Sequence, residues 1–334
     1  DVDRLVEAGF GTELSESIRR GLPLERRRAI DRQLATIERL NVRICTVFDS
    51  LYPARLKAIS DPPPLLYVTG TWPPPLDVAV AIVGSRRATP TGRLVTEQIA
   101  KELAERGVTV VSGLARGIDA AAHRGALLGK GRTVAVLGCG IDRTYPPEHR
   151  ALRRHIEESG GAVISELPVG ALPLAHHFPR RNRIISGVSV GVLVSEATKE
   201  SGSLITARLA LEQGRDVFAV PGPVTSEMCK GSNGLIKQGA KLVESAQDVL
   251  DEILPQIDSR LAMSLSLDGE RPAPTESLGG NDAAVYAALS ADAQSIDAVI
   301  DRTRLDAAKV AASLLSLELS GLVRQLPGQQ YVRL

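Results

Sequence analysis

Val78-Ala79-Val80-Ala81-Ile82-Val83-Gly84-Ser85-Arg86 is an apolar run that ends on glycine, serine and arginine, and helical periodicity takes over at Gly92–Arg106. Runs of the same kind recur at Val108–Gly113, Thr133–Gly138, Ala162–Glu166, Val190–Glu196, Asp216–Gly222 and Lys241–Glu244, most of them separated by helical patterns such as Ser203–Gln213. A strand that is apolar at nearly every position is buried on both faces, and strands that alternate with helices pair in parallel. The pattern predicts a doubly wound α/β domain over residues 61–255.

Outward from that block the character changes. Residues 1–60 read as a small helical domain. Leu24–Leu40 carries Ile30, Leu34 and Ile37 at helical spacing, and Arg26, Arg27 and Arg28 at its start read better as a solvated face than as a DNA contact. Asp61-Pro62-Pro63-Pro64 and Pro73-Pro74-Pro75 mark stiff breaks. Residues 256–281 read as a linker. Residues 282–334 then give three helices, a strand at Leu322–Leu326, a Pro327-Gly328 turn and a strand at Tyr331–Leu334, which predicts a winged helix. Its third helix, Asp306–Ser320, is expected to start on an Asp306 cap and to bury Val310, Leu314 and Leu317.

The 334 residues are 43% hydrophobic and 24% charged, a globular composition, and no apolar run approaches the roughly 20 residues a membrane span needs. Cys45, Cys139 and Cys229 fit neither a disulfide framework nor a zinc site, so a reducing cytoplasm is expected. A formal net charge of +1 excludes a generally basic coat protein, so a polyanion site must be a local concentration of charge. Of the 40 cations only eight are Lys. Arginine suits phosphate forks, although a GC-rich genome gives the same skew.

In an open α/β sheet ligands bind outside the carboxyl ends of the strands. The turns there are unusual. Gly84, Ser85 and Arg86 combine backbone access, helix-terminal amides and a guanidinium fork for an anion. Gly113, Arg116 and Gly117 repeat the idea after the second strand. The densest segment, His176-His177-Phe178-Pro179-Arg180-Arg181-Asn182-Arg183, joins an aromatic to three arginines, the combination used for sequence-tolerant single-strand binding. Ser201, Gly202 and Ser203 open a helix as a further anion cradle. Together these loops point to a phosphate-bearing ligand without separating a nucleotide from a polynucleotide.

Catalytic and cofactor signatures fail. Gly138-Cys139-Gly140 would need a glycine where Arg143 stands, so no nicotinamide or flavin cofactor is expected, and no P-loop is present. His176 and His177 lack the companions of a metal site. Asp119 and His123, four apart, could form an acid–base pair, but a capping Asp beside a hydrogen-bonded His is the better reading. From Asp282 to Leu334 acidic residues exceed basic ones by one, and the third helix offers mainly Ala307, Ala308, Lys309, Ala311, Ala312, Ser313 and Glu318 to solvent. A helix that reads DNA needs several Arg, Lys, Asn or Gln side chains, so a protein-binding or modulatory role is expected there.

Five strings carry a resemblance: Ile82–Thr89 (IVGSRRAT), Ser112–Leu127 (SGLARGIDAAAHRGAL), Val134–Pro146 (VAVLGCGIDRTYP), Phe178–Gly187 (FPRRNRIISG) and Ser201–Gly222 (SGSLITARLALEQGRDVFAVPG). They closely resemble the DprA/Smf family of bacterial natural transformation, from about Asp49 to the C-terminus. The resemblance implies a SAM-like helical N-terminal domain, an extended Rossmann-like core and a winged-helix tail. It implies a non-catalytic protein that binds incoming single-stranded DNA, protects it, loads RecA recombinase and forms a homodimer through the Rossmann-like domain. The family's phosphate pocket falls on Gly84, Ser85, Arg86, Phe178, Arg181, Asn182 and Arg183, completed by the Ser201–Ser203 turn. Thr91-Gly92 stands where the family often has Tyr-Gly, which removes one stacking group. The competing reading is a nucleotide-processing enzyme, phosphoribohydrolase-like, on a related Rossmann-like fold. Its Pro-Gly-Gly-x-Gly-Thr signature is absent, since Val220-Pro221-Gly222-Pro223-Val224 and Ser201-Gly202-Ser203 occupy the candidate turns.

Overall fold

The structure, a computed structural model, describes residues 21, 23–73, 76, 78–256, 280–290, 293–319, 322–326, 328 and 330–333. Most of the expected linker, much of the expected SAM-like N-terminal domain, and Pro74, Pro75 and Pro327 of the breaks and turn lie outside the described residues. In chain order the elements are α1 (Leu24–Arg39), β1 (Arg43–Thr46), α2 (Ala54–Lys57), β2 (Leu65–Gly70), β3 (Ala79–Val83), α3 (Pro90–Glu105), β4 (Thr109–Ser112), α4 (Ile118–Leu128) and β5 (Thr133–Val136). There follow α5 (Arg150–Glu158), β6 (Ala162–Ser165), α6 (His177–Gly187), β7 (Gly191–Val194), α7 (Ser203–Glu212), β8 (Asp216–Ala219), α8 (Lys230–Lys237), β9 (Lys241–Leu242) and α9 (Ala246–Ile253).

The nine strands form one sheet in the order β1-β2-β6-β5-β4-β3-β7-β8-β9. The seven runs expected to be strands are β3 to β9, and each pairs in parallel with its neighbours among them. Alternation splits β3 and β7 between two cores. On one face Ala79, Ala81 and Val83 of β3 join Val192 and Val194 of β7 under Ile184, Ile185 and Ala207 of α6 and α7. On the other, Val80 and Ile82 meet Ile99, Leu103, Ala122 and Leu250 of α3, α4 and α9. Burial of each large aliphatic side chain contributes about 1.5–3 kcal/mol, which is why this block tolerates so few polar positions.

Arg43–Thr46 corrects the expectation of an all-helical segment up to residue 60. It forms β1, antiparallel to β2, in register Arg43↔Val68 to Thr46↔Leu65, and β2 in turn runs antiparallel to β6. Cys45, Tyr52, Leu56 and Ile59 are buried in the same cluster as Val111 and Val194, so the chain enters the sheet well before residue 61. Four residues with only Cys45 buried give no strand signature without their distant partner. Along α1, Ile37 is buried while Ile30 and Leu34 are exposed.

The C-terminal segment folds as α10 (Gly280–Ala288), β10 (Gln294–Ser295), α11 (Ile296–Thr303), α12 (Ala307–Leu319), β11 (Val323–Leu326) and β12 (Gln330–Arg333), with sheet order β10-β12-β11. Val310, Leu314 and Leu317 of α12 are buried, as expected from their spacing, with Val285, Val299 and Val323. Asp306 accepts the Lys309 amide at 3.0 Å and caps α12. Arg324 of β11 meets Glu97 of α3 at 2.7 Å, an ion pair between the two sheets' domains.

Candidate nucleic-acid interface

The strand order reverses at β3, which has β4 on one side and β7 on the other. Connections leave β3 and β7 toward opposite sides, so a crevice opens at their carboxyl ends. A cleft of about 880 Å³ lies there. Gly84, Ser85 and Arg86 line it with Phe178, Arg181 and Asn182 of α6 and with Ser201, Gly202 and Ser203 at the start of α7. Gly113 and Arg116 line a smaller depression beside it, which shares Arg86 and Phe178. Arg183 lies at neither.

The arginines divide by environment. Arg86 and Arg87 are exposed on the cleft wall, and the Arg86 guanidinium sits 5.0 Å above the Phe178 ring, a cation–π contact. Arg181 is only 5% exposed, and its Nη1 donates to the carbonyls of Gly113, at 2.8 Å, and Val136. Burial pushes its pKa down to about 10, against the pull of Asp119. Gly113 is required beneath it, since a Cβ there would collide with the guanidinium. Arg181 thus ties the ends of β4 and β5 to α6 and adds buried positive charge below the cleft floor. Arg183 pairs with Glu166 at 2.5 Å and Asp61 at 3.0 Å. This corrects its assignment to the phosphate pocket: its charge is spent on two carboxylates that the local sequence does not place beside it. Arg116 pairs with Glu148 at 2.5 Å across an exposed surface.

The anion cradle after β3 is also different from the expectation. The amino end of α3 is closed by protein: the Glu196 carboxylate accepts from the Thr89 amide at 2.8 Å and hydroxyl at 2.6 Å, and Thr89 Oγ1 accepts from Gly92 at 2.9 Å. The Ser85 amide donates to the Glu196 carbonyl at 2.7 Å. What the Gly84–Arg87 loop presents to the cleft is therefore its two guanidinium groups rather than helix amides. Gly117 supports that loop: its φ of +74° and its close approach to the Ser85 carbonyl leave no room for a side chain. The start of α7 is the more open end. Ser201 and Ser203 share a hydroxyl hydrogen bond of 2.7 Å, and Asn182 Nδ2 reaches the Gly202 carbonyl at 3.5 Å.

Asp119 and His123 are not partners. Asp119 accepts from the Gly113 and Ala115 amides at 3.2 and 3.3 Å, and burial raises its pKa while Arg181 opposes the rise. Buried His123 contacts Thr133 Oγ1 through Nδ1 at 2.7 Å, and burial lowers its pKa to about 3. Thr133 donates its proton to the Val110 carbonyl, so His123 Nδ1 is the donor of this pair and the ring is neutral. No cluster of three or more His, Cys, Asp or Glu able to hold a metal exists among the described residues, and none of the helices searched there is long and apolar enough to cross a membrane. Sequence reasoning missed Arg87, Tyr145 and Thr198 on the cleft wall. Arg87 was signalled by the Arg86-Arg87 doublet and Thr198 by its place three residues before Ser201, whereas Tyr145 arrives from a distant loop.

The sequence matches the family described as DNA recombination-mediator protein A over residues 43–254, and the DprA winged helix domain over residues 269–329. The chain belongs to the DprA/Smf family. The Smf protein of Escherichia coli K12 is 40% identical over 315 residues, covering 92% of this chain and 82% of the relative. DNA processing protein DprA of Streptococcus pneumoniae is 46% identical over 211 residues, covering 62% of this chain and 73% of the relative. The X-ray structure of S. pneumoniae DprA superposes with a TM-score of 0.59 at 42% identity, over 65% of this chain and 75% of that one. DprA of Helicobacter pylori, solved to explain its single-stranded DNA binding mode, gives a TM-score of 0.58 at 30% identity, over 65% of this chain and 98% of that one. Membership of the DprA family places this chain among DNA-processing proteins, with a mixed α/β sheet and a winged helix.

Proposed function

We propose that the cleft at the β3/β7 switch point binds single-stranded DNA without chemical conversion, Arg86 and Arg87 neutralising phosphates and the α7 turn with Asn182 offering polar contacts. The observation that carries this reading is the pair of exposed arginines beside a half-buried aromatic ring, in a cleft of about 880 Å³. The nuclease protection, RecA loading and homodimerisation implied by the resemblance belong to the same proposal, as does action in the cytoplasm. They rest on the family alone.

An enzyme reading would need a carboxylate free to activate water. Asp119, the acid on the cleft wall, is engaged by two loop amides, and Glu196 is engaged by Thr89. Both have structural employment, which favours binding over hydrolysis.

The test is fluorescence anisotropy of the full chain with a labelled single strand and with its duplex across a salt series. Preferential single-strand binding is expected, with log affinity falling by about 0.7 per neutralised phosphate for each unit of log salt. Arg86→Ala/Arg87→Ala should remove most of it. Equal weak binding of single strand and duplex, unchanged in the variant, would refute the site. Release of free base from nucleoside monophosphates would favour the enzyme reading instead.

A further inference from the structure

We propose that Glu196 is the positioning residue of the arginine loop, holding Arg86 and Arg87 in their binding geometry without itself meeting the ligand; the inference rests on the single-strand reading above. Glu196 lies two residues beyond the end of β7, is buried, and is not among the residues that line the cleft. Both ends of the loop nevertheless meet this one residue. Its carbonyl accepts from the Ser85 amide at 2.7 Å, and its carboxylate accepts from the Thr89 amide and hydroxyl at 2.8 and 2.6 Å. Between these fixed points stand only Arg86, Arg87 and Ala88. Ala88 is buried in the core beside α3 and α4, and the Arg87 amide donates to Ser85 Oγ at 3.1 Å. A span this short, fastened at both ends, leaves the two arginines little backbone freedom.

The two fastenings differ in kind. The Ser85 bond is made by the main chain of Glu196 and survives any substitution there, whereas the Thr89 bonds are made by the side chain. Gly92 gives the carboxylate its place, since a Cβ there would collide with it. One turn further along α3, Thr96 Oγ1 lies 2.7 Å from Ser195 Oγ, a second tie between this helix and the end of β7. Removing the carboxylate therefore frees the first turn of α3 and the loop before it, and leaves the helix seated on the sheet. Ordering long side chains and their loop at the moment of binding costs affinity, and a loop ordered beforehand avoids that cost. The carboxylate's own charge is taken up by the donors at the amino end of α3, so it does not cancel the guanidinium groups. Glu196 thus supplies affinity by preorganisation, while the phosphate contacts belong to Arg86 and Arg87.

The test compares full-length wild type, Glu196→Ala and Glu196→Gln, each with and without Arg86→Ala/Arg87→Ala, by anisotropy on a labelled single strand at low salt. Glu196→Ala should weaken binding by roughly five- to fifty-fold, the scale of ordering two long side chains and their loop. Its salt slope should match that of the wild type, because the same phosphates are neutralised in the complex. Glu196→Gln should stay within about three-fold of wild type, since its Oε1 still accepts from the Thr89 amide and its Nε2 can donate to the Thr89 hydroxyl. In the arginine-free background Glu196→Ala should cost less than about two-fold further, because it acts only through those side chains. Without DNA, amide hydrogen exchange over residues 85–92 should quicken in Glu196→Ala and not in Glu196→Gln. Thr89→Val breaks the same contact from its other partner and should repeat the Glu196→Ala result. Wild-type affinity in Glu196→Ala, an equal loss in the arginine-free background, or a loss in Glu196→Gln as deep as in Glu196→Ala would each overturn the inference. If the wild type binds no single strand at all, the cleft reading itself fails, while the exchange contrast still reports whether Glu196 orders the loop.

Discussion

The loop after β3 and the helix α6 each carry closely spaced arginines to the same end of the sheet, yet they use them in opposite ways. Arg86 and Arg87 stand exposed on the cleft wall without a carboxylate partner among the described residues. Arg181 and Arg183 are buried, one bound through Nη1 to strand-end carbonyls and countered by Asp119, the other locked between Glu166 and Asp61. The difference teaches that the number of arginines in a motif says little about how much positive charge a ligand meets. What decides is whether the surrounding fold supplies acceptors.

Replacing Arg181 by Met should give the largest effect. It removes two hydrogen bonds to buried carbonyls and takes from Asp119 its main counter-charge. Breaking such a buried set costs about 3–5 kcal/mol, read from the denaturant midpoint. A change below about 1 kcal/mol, together with lost DNA affinity, would move Arg181 to the side of Arg86 and erase the contrast. Arg86→Ala/Arg87→Ala should behave in the reverse sense. Surface changes of this kind alter stability by less than about 0.5 kcal/mol, while the salt slope of single-strand binding should flatten by about 1.4 if each arginine neutralises one phosphate.

A smaller effect separates the two regions by pH. His123, buried beside α4, has its pKa lowered to about 3 by burial, with His149 and Arg181 acting in the same direction. Between about pH 6.5 and that value the unfolded chain takes up a proton that the folded chain refuses. Stability is therefore full above pH 6.5 and is lost as the pH falls, by about 1.4 kcal/mol per unit, or roughly 2 kcal/mol from pH 7 to pH 5. His123→Gln should flatten this portion of the pH–stability curve while leaving cleft affinity at pH 7 intact. An unchanged slope would show that His123 takes up its proton equally in the folded and unfolded chain, against a lowered pKa in the fold.

The parallel core was legible because β3 to β8 are rich in apolar residues and buried at almost every position, and short apolar runs alternating with helices fit little besides a sheet covered on both faces. β1 was not, because Arg43 and Ile44 face solvent and the strand exists only through its pairing with Tyr67 and Val68. Within the site, the Gly84–Arg87 loop and the α7 turn could be read locally, since adjacent residues supply the whole feature. Arg183 could not: its partners Glu166 and Asp61 come from other parts of the chain. The same holds for Glu196, which closes the α3 amino end that looked free for an anion. Sequence shows which donors exist; only the fold shows which acceptors have already claimed them.

The winged helix offers the smallest and most discriminating test of that rule. Lys309, the cation near the start of α12, pairs with Asp306 at 2.8 Å, and its neighbours on the exposed face are largely alanine. A reading helix in the major groove needs several unpaired donors directed at base edges. Lys309→Ala should accordingly leave single-strand and duplex affinities of the full chain within about two-fold, since an exposed pair of this kind contributes little in water. A ten-fold loss confined to duplex DNA would mean that α12 enters a groove despite its composition. The claimed acceptor would then have failed to silence its cation, and charge pairing in the free protein would no longer predict which arginines of the cleft remain available.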